Sequence, residues 1–317
     1  MTDVRADSKI ARAIAFHSMK KLLITGASGF LGWYLCQEAT KQGWKVYGTA
    51  FSKLPDVPNV QLCQVDLTNL DVVRSLMKQI RPDAVIHAAA MGRPNECQDN
   101  PEQSYAINMN ATESLAKLCD ELSCKLVFIS TEQVFDGLNP PYREVDSGSP
   151  INIYGEHKAI AEQKVLAISP DFLVCRMPLM FGAVPHAPSF LQGFLERLER
   201  GETLNLFVDE IRTPLFGGDA AQGILLGLEK ARGILHLGGA ESLSRYQFGQ
   251  QLVAAMGLSE SCLQASRQAE VKFSAPRPPD LSMDIEVARS LGYCPRTVSA
   301  RLKQVLKEAW GRFSGIN

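Results

Sequence analysis

The stretch "TGASGFLGWYLCQEATKQGWKVYGTAFSK", Thr25–Lys53, decides the fold. It follows the short apolar run "KKLLIT" and places Gly26, Gly29 and Gly32 directly before a helical pattern over 30–42, after which "KVYGTA" reads as a second strand. A nucleotide pyrophosphate needs a backbone it can approach closely, ending at a helix N-terminus whose free N–H groups and dipole favour negative charge. The spacing is GxxGxxG, and a turn of packing glycines is the alternative for the triplet alone. Its place between strand and helix favours a nucleotide. An NAD site commonly carries an acid at the end of the second strand to bond the ribose hydroxyls. Here that place reads Thr49-Ala50-Phe51-Ser52-Lys53, and the first acid, Asp56, follows only after Pro55. The hydroxyl of Ser52 and the ammonium of Lys53 suit a 2′-phosphate, so NADP(H) is expected in preference to NAD(H). A solvated loop lysine is the bland alternative.

Outward from this unit the same rhythm continues. "NVQLCQVD", a helix over 70–80, "DAVIHAAA", a helix over 105–123, "KLVFIS", a helix over about 154–168 and "FLVCRM" complete six strands alternating with helices. That order predicts an α/β, doubly wound parallel (Rossmann) sheet. Pro178, Pro185 and Pro188 break the rhythm, and a helix follows over 189–200. "DAAQGILLGLEKARGILHLGG" reads as one more helix and strand returning to the sheet, with further helical patterns at 244–256 and 297–310. The expected organisation is an N-terminal tail, 1–19, and an NADP-binding domain, 20–180 plus about 216–240. A smaller α/β substrate-binding domain takes about 181–215 plus 241–317.

Length and composition agree with a sizeable core: 317 residues, 45% hydrophobic. A net charge of -1, from 33 basic and 34 acidic residues, offers no field to attract nucleic acid or anionic lipid. The expected partner is a small molecule. Eight cysteines contain no CxxC pair, which points to a reducing, cytoplasmic setting. No apolar run approaches the roughly 18–20 residues that span a bilayer. The five histidines lack HxxxH or HxH spacing, so no metal site is expected.

"INIYGEHKAIAEQ" sets Tyr154 and Lys158 four apart at the start of a helix, on one face. A phenol has a reference pKa near 10 and exchanges protons poorly at neutral pH, but an adjacent ammonium stabilises its anion. "KLVFISTEQVFDG" ends a parallel strand with Ser130 and Thr131, where open α/β sheets place their ligands. Thr131 is therefore placed to bond the same oxygen as Tyr154. Capping is the structural alternative for both hydroxyls.

Together these residues resemble the extended short-chain dehydrogenases/reductases, in particular the branch of dTDP-4-dehydrorhamnose reductases. The likeness runs over 20–310 and includes "TGASGFLG", "QVDLTN", "RPDAVIHAAA", "YAINMNAT", "STEQVFDGLNPPYREVDSGSPINIYGEHK", "RMPLMFG", "DEIRTP" and "RPPDLSMD". The same segments are similar to the regulatory beta subunit of methionine adenosyltransferase, which binds NADP and serves a partner enzyme.

The resemblance implies a catalytic trio of Thr131, Tyr154 and Lys158. It implies that Gly26, Ser28, Gly29, Phe30 and Leu31 hold the pyrophosphate, that Asp66 and Leu67 flank the adenine, and that Ala88, Ala89 and Ala90 line the ribose and nicotinamide. Asn108 would support Lys158. The implied reaction delivers hydride from NADPH to C4 of a nucleotide-linked 4-keto-6-deoxy sugar, with Tyr154 donating the proton and Lys158 orienting the ribose and tuning the phenol. Arg93, Arg212 and Arg277 are loop arginines suited to clamping a diphosphate, or else solvated. The helices over 105–123 and from 154 form the faces by which many relatives dimerise, so a homodimer is one expectation; the same helices cover the sheet in a monomer.

Two departures concern the substrate side. Rhamnose reductases typically read Asp-Tyr after the threonine, whereas Glu132 and Gln133 stand here. They commonly carry a tryptophan where this chain has Leu179. Leu179 is closer to the regulatory subunit, so a non-catalytic NADP-binding subunit is the main alternative. A sugar-nucleotide epimerase or dehydratase is the other, opposed by the missing ribose acid and by Gln133, which cannot ionise.

Overall fold

The computed structural model describes residues 19–52 and 54–313, with side chains through 307. The tail before Met19 and the expected phosphate contact Lys53 lie outside the described residues.

The chain opens with β1 (Lys21–Thr25), α1 (Phe30–Lys41), β2 (Lys45–Ala50), β3 (Val60–Gln64), α2 (Leu70–Ile80) and β4 (Ala84–His87). It continues through α3 (Pro94–Asp99), α4 (Pro101–Tyr105), a π-helical turn (Ala106–Asn110) and α5 (Ala111–Glu121) to β5 (Lys125–Thr131), α6 (Ile153–Ile168) and β6 (Leu173–Met177). The helix expected over 105–123 is therefore two helices joined by a π turn, preceded by a short proline-started helix. Pro94 and Pro101 occupy first-turn positions, where the missing N–H costs nothing.

The seven-stranded sheet has the order β11-β6-β5-β4-β1-β2-β3, all parallel, where β11 is the returning strand Gly233–His236. β1 lies between β2 and β4, so the chain winds both ways from it, and the crevice between β1 and β4 is the topological switch point. One apolar layer packs Leu31, Leu35, Ile224 and Leu228 beneath the sheet. The opposite layer uses Val73, Met77, Leu115 and Val165. The central strands β1, β4, β5 and β6 are buried on both faces, as near-continuous apolar runs such as "KLLIT" and "LVFI" require, whereas the edge strand β3 is only partly covered.

The remaining elements are β7 (Met180–Phe181), α7 (Phe190–Glu199), β8 (Leu204–Phe207), β9 (Ile211–Arg212), β10 (Leu215–Phe216), α8 (Gly217–Lys230), β12 (Leu243–Ser244), α9 (Arg245–Met256), β13 (Leu263–Ser266), α10 (Glu286–Ser290) and α11 (Val298–Phe313). Outside the sheet, a third apolar cluster gathers Phe181, Leu191, Leu204, Phe248 and Leu302 from two lengths of chain on either side of α8 and β11. Capping boxes at Ser189 and Ser244, each closed by a glutamine three residues on, fix where α7 and α9 begin. No helix among the described residues is long and apolar enough to cross a membrane.

Candidate active site

The glycine loop joins β1 to α1 at the switch point. Gly26 is left-handed, with φ +68°, and a Cβ there would lie 2.8 Å from the Cα and N of Ala89. A Cβ on Gly32 would meet Gly26 O at 2.1 Å. The first glycine thus lets β1 turn against the end of β4, and the third lets α1 sit down on the loop. Gly29 caps α1 without a side-chain hydrogen bond, which leaves the first-turn N–H groups to serve an anion. Ser28, Gly29 and Phe30 are half-buried there, whereas the Leu31 side chain enters the core, so only its backbone faces the loop. A cradle that any side chain would fill, ending at an uncapped helix, fits a dinucleotide pyrophosphate.

The neighbouring edge is fixed from beneath by a buried polar chain. Thr112 Oγ1 donates to Asn108 O (2.8 Å) and so accepts from His87 Nε2 (3.0 Å). His87 Nδ1 is then the acceptor for Thr25 Oγ1 (2.7 Å), which itself accepts from Ala89 N (3.2 Å). Burial, with Lys158 adding to it, pushes His87 down to about 3, so the ring is neutral and one tautomer satisfies every bond. Ala88 and Ala89 are half-buried and Ala90 exposed along this edge. Asn108 clamps both backbone groups of Met91, at 2.9 and 3.0 Å. Its side chain therefore fixes the loop after β4; the expected support of Lys158 is not a direct bond.

At the far end of the crevice Ser52 is exposed, and Gln64 Nε2 holds Phe51 O at 3.1 Å. Asp66 accepts from the Thr68 hydroxyl (2.7 Å) and N–H (2.9 Å), and these bonds hold its carboxyl below the usual range. Leu67 beside it is half-buried.

The residues expected to do chemistry meet at the C-terminal end of β5. Asn152 caps α6 by accepting from Gly155 N (2.9 Å), and its amide donates to Gln133 Oε1 (3.0 Å) and Pro276 O (3.1 Å). A Cβ on Gly155 would lie 2.0 Å from Gln133 O, so the glycine after Tyr154 lets α6 begin hard against the strand end. Tyr154 is half-buried and bonds Thr131. Burial pushes its phenol up to about 12 against the opposing Thr131 bond, with Cys97 and Glu132 adding to the rise. This differs from a phenol drawn down by Lys158. Lys158 is itself 1% exposed and donates to Ile129 O at 2.6 Å, with its ammonium 3.9 Å from the Phe128 ring centroid. Burial lowers it to about 7, opposed by Glu162 and then Cys97. The trio is thus poised as a protonated phenol beside a lysine that changes charge near neutrality.

Above this floor lies a group of charges from the other part of the molecule. Glu132 is buried, with Arg212 Nε at 3.2 Å and Leu179 N at 3.2 Å on one oxygen, while Oε2 has no partner. Burial raises it to about 8 in spite of Arg212. Arg212 gives all three nitrogens to the protein: Glu132, Ile211 O (2.6 Å), Pro279 O (3.2 Å) and Pro278 O (3.0 Å). It therefore builds the site and has little left for a diphosphate. Arg93 is 81% exposed and paired with Glu96. Arg277 remains: Nη2 donates to Asn95 at 2.9 Å and buried Nε has no partner.

Arg245, which the sequence reading missed, lies in the same charge group and stacks 4.0 Å from the Phe190 ring centroid, with Nη1 buried and unpartnered. A cation at the first position of a helix opposes the dipole, and that misplacement was its only sequence signal. Asn95 and Asn152 also went unread, because both act on loops distant in sequence. Gln133 is spent on Asn152, and Leu179 contributes its N–H to Glu132. Among the described residues no group of acids, cysteines and histidines could hold a metal.

Comparison with known proteins sets this geometry in context. The chain is 31% identical over 269 residues to a probable low-salt glycan biosynthesis reductase of Haloferax volcanii, covering 83% of this chain and 89% of the relative. It is 29% identical to methionine adenosyltransferase 2 subunit beta of Danio rerio, covering 86% and 85%. The crystal structure of dTDP-4-dehydrorhamnose reductase from Bacillus anthracis in complex with NADP matches with a TM-score of 0.81 at 23% identity, over 92% of this chain and 99% of that one. The family model described as RmlD substrate binding domain matches residues 19–310, and the chain belongs to that family.

Proposed function

We propose that the protein is an NADPH-dependent oxidoreductase of the extended short-chain type that reduces a nucleotide-linked 4-keto-6-deoxy sugar. One observation carries the reading: Thr131, Tyr154 and Lys158 converge at the end of β5, beside a glycine cradle at the switch point. Bound there, the reduced nicotinamide supplies the hydride. The NADP-binding part is 20–180 plus about 216–240, and about 181–215 plus 241–317 binds substrate. Gly26, Ser28, Gly29, Phe30 and Leu31 would hold the pyrophosphate, Asp66 and Leu67 the adenine, and Ala88 to Ala90 the nicotinamide side. Ser52 and Lys53 favour NADP over NAD.

Tyr154, protonated throughout the working range, donates to the sugar oxygen as negative charge develops on it, and Thr131 bonds the same oxygen. Lys158 orients the ribose and supplies positive charge to the phenol as it loses its proton. The diphosphate meets Arg277 and Arg245, whose unpartnered N–H groups suit phosphate oxygens. Arg212 and Glu132 shape the wall behind them. A homodimer through the helices over 101–121 and 153–168 is consistent with the family resemblance.

A second reading, an NADP-binding subunit serving a partner enzyme, is favoured by Leu179 and by the similarity to the methionine adenosyltransferase subunit. The two separate on one assay: loss of NADPH absorbance with a dTDP-4-keto-6-deoxy sugar, wild type against Tyr154→Phe. Turnover abolished by the substitution supports the reductase. Tight NADPH binding with no consumption over a panel of keto-sugar nucleotides overturns it in favour of the subunit.

A further inference from the structure

Three consecutive residues of β5 each anchor one residue of α6. Thr131 bonds Tyr154, Ile129 O takes the ammonium of Lys158 at 2.6 Å, and Ser130 Oγ donates to Glu162. Tyr154, Lys158 and Glu162 stand at i, i+4 and i+8, on the one helical face that meets the strand. The first two belong to the reaction already described; the third has no part in it.

Glu162 is 4% exposed and held from the far side by Arg176 on β6, which is equally buried. Arg176 Nε reaches both carboxylate oxygens, at 3.1 and 3.2 Å, and Nη2 reaches one at 2.8 Å. The guanidinium packs 4.9 Å from the Phe135 ring centroid and meets His236 Nε2 at 3.4 Å. Burying an ion pair this completely costs desolvation that its own attraction does not reliably recover, so stability is a weak account of its presence.

We propose that Glu162, clamped by Arg176 and Ser130 one turn along the same face of α6 from Lys158, is a positioning residue for the reaction: its buried carboxylate offsets the burial of the Lys158 ammonium that Ile129 O holds in place. Among the described residues, Glu162 is the carboxylate that opposes the burial of Lys158. The other titratable groups beside it are Cys97 on α3 and neutral His87 on β4, while Arg176 on β6 is paired with Glu162 and Glu132, in the turn after β5, acts on Tyr154. On α5, Glu113 is taken by Lys117 and Lys164. Burial alone favours a neutral amine, which could neither orient a ribose as a cation nor stabilise a phenolate. Glu162 is therefore the group that keeps Lys158 useful.

The consequence for turnover rests on the reductase reading; the charge state of Lys158 does not. The first experiment therefore needs no substrate. The protein is labelled with 13C-lysine and the Lys158 Cε resonance, assigned by its absence in Lys158→Met, is titrated in wild type and in Glu162→Gln. The expected result is a midpoint lower by about one pH unit in the variant. A double variant, Glu162→Gln with Arg176→Met, leaves no buried unpaired guanidinium and should shift in the same direction if the single variant folds poorly. Ser130→Ala should give a smaller shift of the same sign. Unchanged midpoints in folded variants overturn the inference. In the NADPH assay, the alkaline limb of kcat should move to lower pH by the same amount in Glu162→Gln, and Glu162→Asp should recover part of it. A limb that stays in place while kcat falls uniformly would mark Glu162 as merely structural. If wild type turns over no keto-sugar, the reductase reading fails while the titration still stands.

Discussion

The floor and the roof of the crevice are built on opposite plans. On the floor, β5 and α6 leave each chemical group with a partner: Thr131 on Tyr154, Ile129 O on Lys158, Thr25 and Thr112 on the two nitrogens of His87. On the roof, formed by the segments around 207–213, 244–249 and 273–281 over the turn at Glu132, buried polar atoms stand unpaired: Glu132 Oε2, Arg245 Nη1 and Arg277 Nε. Saturated bonding fixes geometry, which proton transfer needs to within fractions of an ångström. Unpaired buried polar atoms are costly until a ligand meets them, so they confer selectivity for a ligand that does. On the proposed function the floor would be the reacting surface and the roof the recognising one.

Substitutions can break that division in order of size. Lys158→Met removes the floor's cation and should lower kcat by about 10²- to 10⁴-fold with near-normal substrate KM, measured as NADPH consumption at saturating keto-sugar. An equal loss in KM would mean the floor also recognises substrate. Arg245→Gln should raise KM by about 10- to 100-fold, the span of a lost charged hydrogen bond, with kcat within about threefold.

Glu132 sharpens the comparison through pH. Its folded pKa, about 8, lies above the unfolded carboxyl value, so the native state binds the extra proton. Its stabilising contribution is full below about 4.3 and is lost as pH rises through about 8. Glu132→Gln cannot titrate, so its stability relative to wild type should improve with rising pH across that window, by up to a few kcal/mol in urea unfolding. A difference independent of pH would place an ionised Glu132 against Arg212 throughout. The smallest effect belongs to Arg93→Ala: the side chain is 81% exposed in a surface pair, so KM should move by less than about twofold.

The same division explains how much the sequence discloses. Short, near-continuous apolar runs locate the central strands, which are buried on both faces, and a period-3.6 pattern locates the helix over 70–80. Gly26, Thr131, Tyr154 and Lys158 are legible because each lies at a fixed offset from a strand end or helix start. The roof depends on contacts far apart in sequence, such as Asn152 with Pro276 and Asn95 with Arg277. No local pattern distinguishes Arg212, consumed by carbonyls of the proline loop, from Arg277, which keeps a free N–H. The π turn at Ala106–Asn110 is equally hidden, since its residues continue an ordinary helical pattern.

The most direct test is single-turnover oxidation of bound NADPH by a dTDP-4-keto-6-deoxy sugar, followed by stopped-flow absorbance at rising substrate in Tyr154→Phe and Arg245→Gln. The division of labour predicts that Arg245→Gln regains the wild-type rate at saturation, whereas Tyr154→Phe stays slow at every concentration. A saturating rate that remains depressed in Arg245→Gln, or that recovers in Tyr154→Phe, would contradict it.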